Sequence, residues 1–229
     1  MPTILRAALV AATLASGIAT ASGPDVTAGL EWRLVGPHRA GWTTAAAGPG
    51  RGSDVFYMGA AGGGVWKTDD AGKTWDVVFD GVGSASVGAL AVARSAPDVV
   101  YVGMGQVTTR YDIAVGDGVY RSADAGRTWT HAGLAQSRHI GAIAVDPTNA
   151  DVVLVAALGS TFGPGGERGV YRSTDGGRRW QRTLAVSEDT GVVDVAMDPS
   201  NPSIVYAASW QVRYRPWLNY FTPTVLKII

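Results

Sequence analysis

The chain has 229 residues, with 31 glycines, eight tryptophans, no cysteine and 19 basic against 19 acidic side chains. The balanced charge argues against a nucleic acid partner, and the lack of cysteine excludes disulfides and thiolate chemistry. Abundant glycine with few charges is typical of many short strands joined by tight turns, so the composition predicts an all-β protein.

Residues 1–21 are predicted to be a signal peptide. Arg6 precedes an apolar run from Ala7 to Ala15, and the segment closes on Ala19-Thr20-Ala21, which is an A-x-A cleavage pattern. The alternative is a membrane anchor, but the apolar run is much shorter than the roughly 20 residues that a bilayer span requires. We therefore expect an exported protein, periplasmic or extracellular, with no membrane span after cleavage of the signal.

A repeat of about fifty residues occupies residues 41–217, after a predicted lead-in strand over residues 22–40. Its clearest part recurs three times without gaps, in residues 64–75, 118–129 and 169–180. We call these three segments the box hairpins. An internal repeat of this length indicates one supersecondary unit that is stacked on its neighbours.

A second pair of strand patterns lies upstream of each later box hairpin. The clearest pair is in residues 141–157, and related pairs occupy residues 88–103 and 192–208. Each unit therefore contains four antiparallel strands, named A to D in chain order. The inner strands are apolar on both faces, which predicts that neighbouring sheets cover them on each side. A β-propeller of four-stranded blades fits this pattern.

The box hairpins follow the pattern Ser/Thr-x-Asp-x-Gly-x-Thr-Trp, except that Arg179 replaces threonine in the third copy. The aspartate is expected to accept hydrogen bonds from turn amides, the glycine to allow positive φ, and the tryptophan to bury against the adjoining strand. Each hairpin supplies only one or two carboxylates, so we expect structural turns without a metal or cofactor. The residues with these structural roles are Asp70, Gly72, Trp75, Asp124, Gly126, Trp129, Asp175, Gly177 and Trp180.

This pattern resembles the Asp-box, or BNR, repeat. The units resemble the propellers of the sortilin (VPS10) N-terminal domain, the sialidases and the xyloglucanase-type glycoside hydrolases. Residues 62–67, 137–141 and 167–171 most resemble an exported bacterial group of sortilin-like repeats that are often labelled glycosyl hydrolases.

The resemblance covers roughly residues 30–217, and the tail at 218–229 diverges from it. The fourth unit is expected to have strands A and B but neither a third strand nor a box hairpin. About three and a half blades cannot close a ring, since propellers have four to eight blades. We therefore expect a fragment of a longer propeller.

An antiparallel meander places the A-to-B and C-to-D turns at one end of every blade, which we call the turn face. The longer B-to-C and D-to-A connections form the opposite, long-loop face, where binding residues are expected. The predicted B-to-C connections are residues 104–117, 159–168 and 210–217. The candidate binding residues are Arg110, Tyr111, Arg138, His139, Glu167, Arg168, Trp210, Arg213, Arg215 and Trp217.

Aromatic rings among arginines and carboxylates can stack on sugars or bind peptide ends. The alternative is that these are ordinary loop residues, with Arg168 and Glu188 in ion pairs.

No catalytic residue is predicted. The resemblance to xyloglucanases implies an essential aspartate before a Gly-Gly pair in the first blade, but Ala61 occupies that position here. The second carboxylate of that family belongs to a second propeller, and no sialidase signature is present. The main prediction is an exported binding scaffold for a peptide, protein or carbohydrate. The alternative is part of a glycoside hydrolase whose catalytic carboxylates lie outside this chain.

Overall fold

The computed structural model describes residues 29, 41–108, 113–215, 218–221 and 225–228, with side chains as far as Arg213. The predicted signal peptide and, apart from Gly29, the predicted lead-in strand lie outside the described residues. Among the described residues all regular structure is β, and none of them forms a helix long and apolar enough to span a bilayer.

The described residues form sixteen strands in four antiparallel sheets. The first three sheets are simple meanders, each with four strands in chain order, so each is one propeller blade. The all-β propeller prediction is confirmed. The strands of these blades are β1 (Thr43–Ala47), β2 (Phe56–Ala60), β3 (Gly64–Thr68), β4 (Asp76–Val77), β5 (Val87–Val92), β6 (Val100–Met104), β7 (Val119–Ser122), β8 (Thr130–His131), β9 (Ile140–Val145), β10 (Val153–Ala157), β11 (Gly169–Ser173) and β12 (Gln181–Leu184).

The core lies between the blades. Strands β6 and β10 are buried along their whole length, because a neighbouring sheet covers each of their faces. The blades approach so closely that a Cβ atom added to Gly59 would lie 2.5 Å from Cγ1 of Val87 in the next blade. Three apolar clusters, one at each junction between successive blades, therefore hold the array together.

The fourth sheet differs from the prediction. Strand β13 (Thr190–Met197) pairs with β14 (Val205–Arg215), and β15 (Leu218–Phe221) folds back on the far end of β14. Strand β16 (Val225–Ile228) pairs with β14 from Tyr206 to Ser209, in the position that strand C takes in the other blades. The expectation that this unit lacks a third strand is wrong, because the β-prone residues of β16 cover the open edge of β14.

The predicted irregular connection at residues 210–217 is also wrong. Strand β14 continues through Arg215, since its last residues pair with β15. Trp210, Arg213 and Arg215 therefore lie on a strand instead of a loop. Trp217 lies outside the described residues.

Candidate functional site

The box hairpins are closed by hydrogen bonds around their aspartates. Oδ1 of Asp124 accepts from the Thr128 amide at 2.9 Å and from the Ser122 hydroxyl at 2.7 Å, while Oδ2 accepts from the Thr128 hydroxyl at 2.6 Å. The Thr128 bonds lead in lowering the pKa of Asp124 to about 2. Gly126 has a φ of 86°, which an L side chain rarely adopts. Both oxygens of the Asp124 carboxylate therefore accept hydrogen bonds from its own turn.

The first and third hairpins repeat this arrangement with one difference. Asp70 accepts from the amide and hydroxyl of Thr74 at 2.9 and 2.7 Å, and its pKa is also lowered to about 2, chiefly by the Thr74 amide. Asp175 accepts from the Arg179 amide at 2.9 Å, and arginine supplies no hydroxyl to its second oxygen. The substitution in the third copy thus removes one hydrogen bond from the turn.

Two of the box tryptophans also bond the neighbouring blade, a contact that the sequence analysis did not predict. Nε1 of Trp129 donates to the Val78 carbonyl of the preceding blade at 2.6 Å, and Nε1 of Trp180 donates to the Ala132 carbonyl at 2.5 Å. Trp75 belongs to the first blade, and its Nε1 bonds the Gly72 carbonyl of its own turn at 3.2 Å. The box hairpin therefore joins its blade to the one before it.

Further contacts between blades line the turn face. The Tyr101 hydroxyl donates to the Ala150 carbonyl of the next blade at 2.9 Å, and the Arg121 guanidinium bonds Asp151 at 3.1 Å. The Tyr57 hydroxyl likewise donates to the Ala125 carbonyl at 3.1 Å. Hydrogen bonds on the turn face therefore connect neighbouring blades.

On the long-loop face, Arg168 organises the connection after β10. Its side chain is buried, and the guanidinium donates to the carbonyls of Leu158, Gly163 and Gly165 at 2.7 to 2.9 Å, and also to that of Ser160. These hydrogen bonds all go to backbone carbonyl oxygens. The alternative interpretation of the sequence had instead placed Arg168 in an ion pair. Arg168 therefore holds together the connection after β10.

His139 is fully buried beneath the same face. Its Nδ1 lies 2.9 Å from the Gln106 carbonyl, and burial leads in lowering its pKa to about 4, so the ring is neutral at neutral pH. Other buried polar atoms lie in the neighbouring loops. Among the described residues, no hydrogen-bond partner is present for Nε2 of His139, Oε1 of Gln106, Oγ of Ser137 or Oγ1 of Thr161. This region has hydrogen-bonding capacity that the described blades do not use.

The other charged candidates lie closer to solvent. Glu167 accepts from the Gln136 amide at 2.9 Å, which ties the loop after β10 to the connection between blades. Arg213 bonds Asp189 at 2.6 Å, with about a third of each side chain exposed. Arg138 is exposed and adopts a positive φ of 59°. Among the described residues, the Arg138 side chain makes neither an ion pair nor a hydrogen bond.

Two of the most exposed aromatic rings among the described residues of this face were not among the predicted site residues. Phe162, in the loop after β10, is 53% exposed. Trp42 is 49% exposed, and its carbonyl accepts from the Ala61 amide at the B-to-C turn of the first blade. Trp210, which was predicted, is half-buried on β14. A large aromatic residue beside a predicted connection is the signal that could have identified Trp42 and Phe162.

Three of the predicted candidates cannot be placed in this surface. Arg110, Tyr111 and Trp217 lie outside the described residues, and for Arg215 only the backbone is described. His139 lies in the connection between the second and third blades, and Glu167 and Arg168 lie in the connection after β10 of the third blade. Arg213 and Trp210 lie on the fourth sheet.

Sequence comparison finds similarity to enzymes. No family model matches the chain. A xyloglucanase of Hypocrea jecorina (strain QM6a) is 28% identical over 161 residues, which is 64% of this chain and 18% of that protein. A xyloglucanase of Paenibacillus sp is also 28% identical over 161 residues, covering 65% of this chain and 15% of that protein. The matching region thus spans less than a fifth of either relative.

Solved structures share the fold. An ancestral GH74 enzyme superposes with a TM-score of 0.61 at 19% identity, covering 81% of this chain and 24% of its own. A GH74 enzyme of Niastella koreensis gives a TM-score of 0.54 at 18% identity, covering 74% and 26% of the two chains. Together with the sequence similarity, these findings support a glycoside hydrolase-like β-propeller and do not specifically support a sortilin-like one.

Proposed function

We propose that the chain is the polysaccharide-binding part of an exported, glycoside hydrolase-like propeller, with the ligand held on the long-loop face. The observation that carries this proposal is the similarity to two xyloglucanases over 161 residues. Export rests on the signal-peptide pattern of residues 1–21.

The exposed rings of Trp42 and Phe162 support a carbohydrate ligand. Both lie on connections of the long-loop face, on the first and third blades. A flat aromatic ring can cover the apolar face of a sugar, and loops on a rigid scaffold commonly carry binding residues.

Two described carboxylates of this face are bonded to other groups of the protein, which favours binding over hydrolysis. Glu167 is bonded to the Gln136 amide and Asp189 to Arg213. Ala61, at the turn where the xyloglucanase resemblance implies an aspartate, has a methyl group that cannot transfer a proton. Glycoside hydrolysis generally needs a pair of carboxyl groups across the scissile bond. We therefore assign sugar binding to this chain.

A second candidate is favoured by the same relatives: this chain is one portion of a hydrolase whose acid and base are supplied by other parts of the protein. Under this hypothesis the long-loop face positions a glucan chain, and cleavage requires carboxylates that this chain does not supply.

Affinity electrophoresis in gels containing xyloglucan tests the proposal. We expect the wild-type chain to be retarded, and the Trp42→Ala and Phe162→Ala variants to lose most of that retardation. Phe56→Ala is the matched control, because Phe56 is 41% exposed but begins β2 at the turn face. Equal retardation in gels with and without xyloglucan would refute the proposal. Release of reducing ends by the chain alone would refute the assignment of binding without hydrolysis.

A further inference from the structure

The connections that follow β6 and β10 meet on the turn that precedes β9. On one side of this turn, the Gly116 amide donates to the Arg138 carbonyl at 2.7 Å. On the other side, the Leu158 amide donates to the His139 carbonyl at 2.9 Å. We call residues 136–140 the joining turn, because they bond the long connections of both the second and the third blade.

The imidazole of His139 also bonds the connection after β6. Its Nδ1 lies 2.9 Å from the Gln106 carbonyl, which can only accept, so in the neutral ring the proton is on Nδ1 and Nε2 is an acceptor. Among the described residues, no hydrogen-bond partner is present for Nε2, and the ring is fully buried. A second proton therefore makes a buried cation with an N–H that no described group accepts.

The surroundings of the ring oppose this second proton. Burial lowers the pKa of the ring to about 4, and the positive charges of Arg138 and Arg168 act in the same direction. The carboxylates of Asp117, Glu167 and Asp189 are bonded to groups other than this ring. The described charged residues of the joining turn and of the connections around it are Asp80, Asp117, Arg138, Glu167, Arg168, Glu188 and Asp189.

We propose that His139 is an acid-sensitive switch, which keeps the two long connections bonded to the joining turn at neutral pH and releases them when it gains a second proton. The blades can remain folded during this release, because the bonds of the joining turn lie outside the strand ladders. Phe162 lies in the connection after β10, so acid loosens the part of the long-loop face that carries this exposed ring. This property of the fold does not depend on sugar binding.

Residue-resolved hydrogen exchange of the full chain tests the switch. A ring with a pKa of about 4 when held and about 6.5 when released is released about twentyfold more often at pH 5 than at pH 7. The protection factors of the Leu158 and Gly116 amides, which exclude the intrinsic effect of pH on exchange, should decrease by this factor. Unchanged protection of these amides would overturn the proposal.

Low concentrations of urea separate release of the connections from unfolding of the whole chain. Local opening exposes little surface, so exchange of the Leu158 amide at pH 5 should depend only weakly on urea. Exchange of the Val155 amide, in the fully buried strand β10, should depend on it strongly. The same strong urea dependence at both amides would show that His139 is released only by global unfolding, and this would refute the switch.

Two variants assign the effect to one ring. His139→Gln keeps a side chain that can donate to the Gln106 carbonyl but cannot gain a second proton between pH 7 and pH 5, so the decrease in protection should disappear. His131→Gln is the matched control, because His131 is exposed and bonds the Asp117 carbonyl of its own blade. This control should leave the decrease at Leu158 unchanged. A decrease that persists in His139→Gln, or that is lost in His131→Gln, would overturn the assignment.

If His139→Gln fails to fold, the ring nitrogens of the wild-type chain provide the second measurement. Nitrogen-15 chemical shifts distinguish a neutral from a charged imidazole and show which nitrogen carries the proton. We expect His139 to be neutral at pH 5, with its proton on Nδ1, while the protection of Leu158 decreases. A charged His139 ring at pH 5 in a chain whose Leu158 amide remains fully protected would refute the proposal.

Discussion

Replacing Trp180 by phenylalanine should weaken the junction between the second and third blades. Phenylalanine keeps an aromatic ring but removes the N–H that donates to the Ala132 carbonyl at 2.5 Å. Ala132 is buried, so its carbonyl loses its indole donor in a poorly hydrated place. Loss of one partner from a buried hydrogen bond costs about 1–3 kcal/mol. We expect the free energy of unfolding to fall by about that amount.

Trp75→Phe is the internal control for this prediction. The Trp75 indole donates to the Gly72 carbonyl within its own exposed turn and, among the described residues, makes no hydrogen bond to another blade. Such a change should alter the free energy of unfolding by less than about 0.5 kcal/mol. The two variants therefore make the same chemical change in different surroundings.

Urea unfolding followed by circular dichroism measures both variants without relying on tryptophan fluorescence. With a slope of about 2–3 kcal/mol per molar urea, the midpoint for Trp180→Phe should fall by about 0.5–1 M. The midpoint for Trp75→Phe should remain close to that of the wild type. Similar shifts in the two variants would refute the conclusion that the box tryptophan stabilises the blade junction.

The remaining predictions concern a buried base, a loop and two turns. Burial lowers the pKa of His139 from 6.5 to about 4. Between these pH values the unfolded chain therefore binds more protons than the folded one. The free energy of unfolding should fall by about 3 kcal/mol as the pH drops from 6.5 to 4. Urea titrations across this range should show a smaller fall in the His139→Gln variant. Arg168→Lys cannot bond all the loop carbonyls, so hydrogen exchange in residues 159–167 should accelerate at least about tenfold. Asp124→Ala should lower the urea midpoint more than Asp175→Ala, because Asp124 also accepts a threonine hydroxyl.

Each of these predictions has a contrary result. An unchanged pH dependence in His139→Gln would show that this ring is not the group responsible for the acid sensitivity. Wild-type exchange rates in the Arg168→Lys loop would show that the guanidinium does not order it. A larger effect of Asp175→Ala would contradict the value assigned to the additional hydroxyl bond.

Much of the fold was predictable because the evidence is repeated and local. Three copies of one hairpin at regular spacing indicated four-stranded blades, and a propeller covers both faces of such sheets. The fourth sheet was predicted less well. Strand β16 pairs with the edge of β14, and no motif in residues 218–229 marks that pairing. A strand that departs from the repeat can be recognised only when its partner edge is known.

The candidate site was predictable in its position but not in its chemistry. The spacing of strands placed long connections at one end of the blades. The Arg168 side chain is buried and bonds loop carbonyls, and the buried His139 ring is neutral. Phe162, in contrast, is largely exposed. The sequence shows which side chains are present, but the groups that surround each of them come from segments that are distant along the chain. Burial and hydrogen-bond partners therefore could not be predicted.

The sequence by itself determined the repeat, the blade and the box turn, because each depends on residues within one hairpin or one meander. Only the tertiary structure decided that Trp129 and Trp180 bond the preceding blade. These features depend on contacts between residues about fifty positions apart, and no local propensity specifies them. Packing between blades therefore sets what each repeated side chain does.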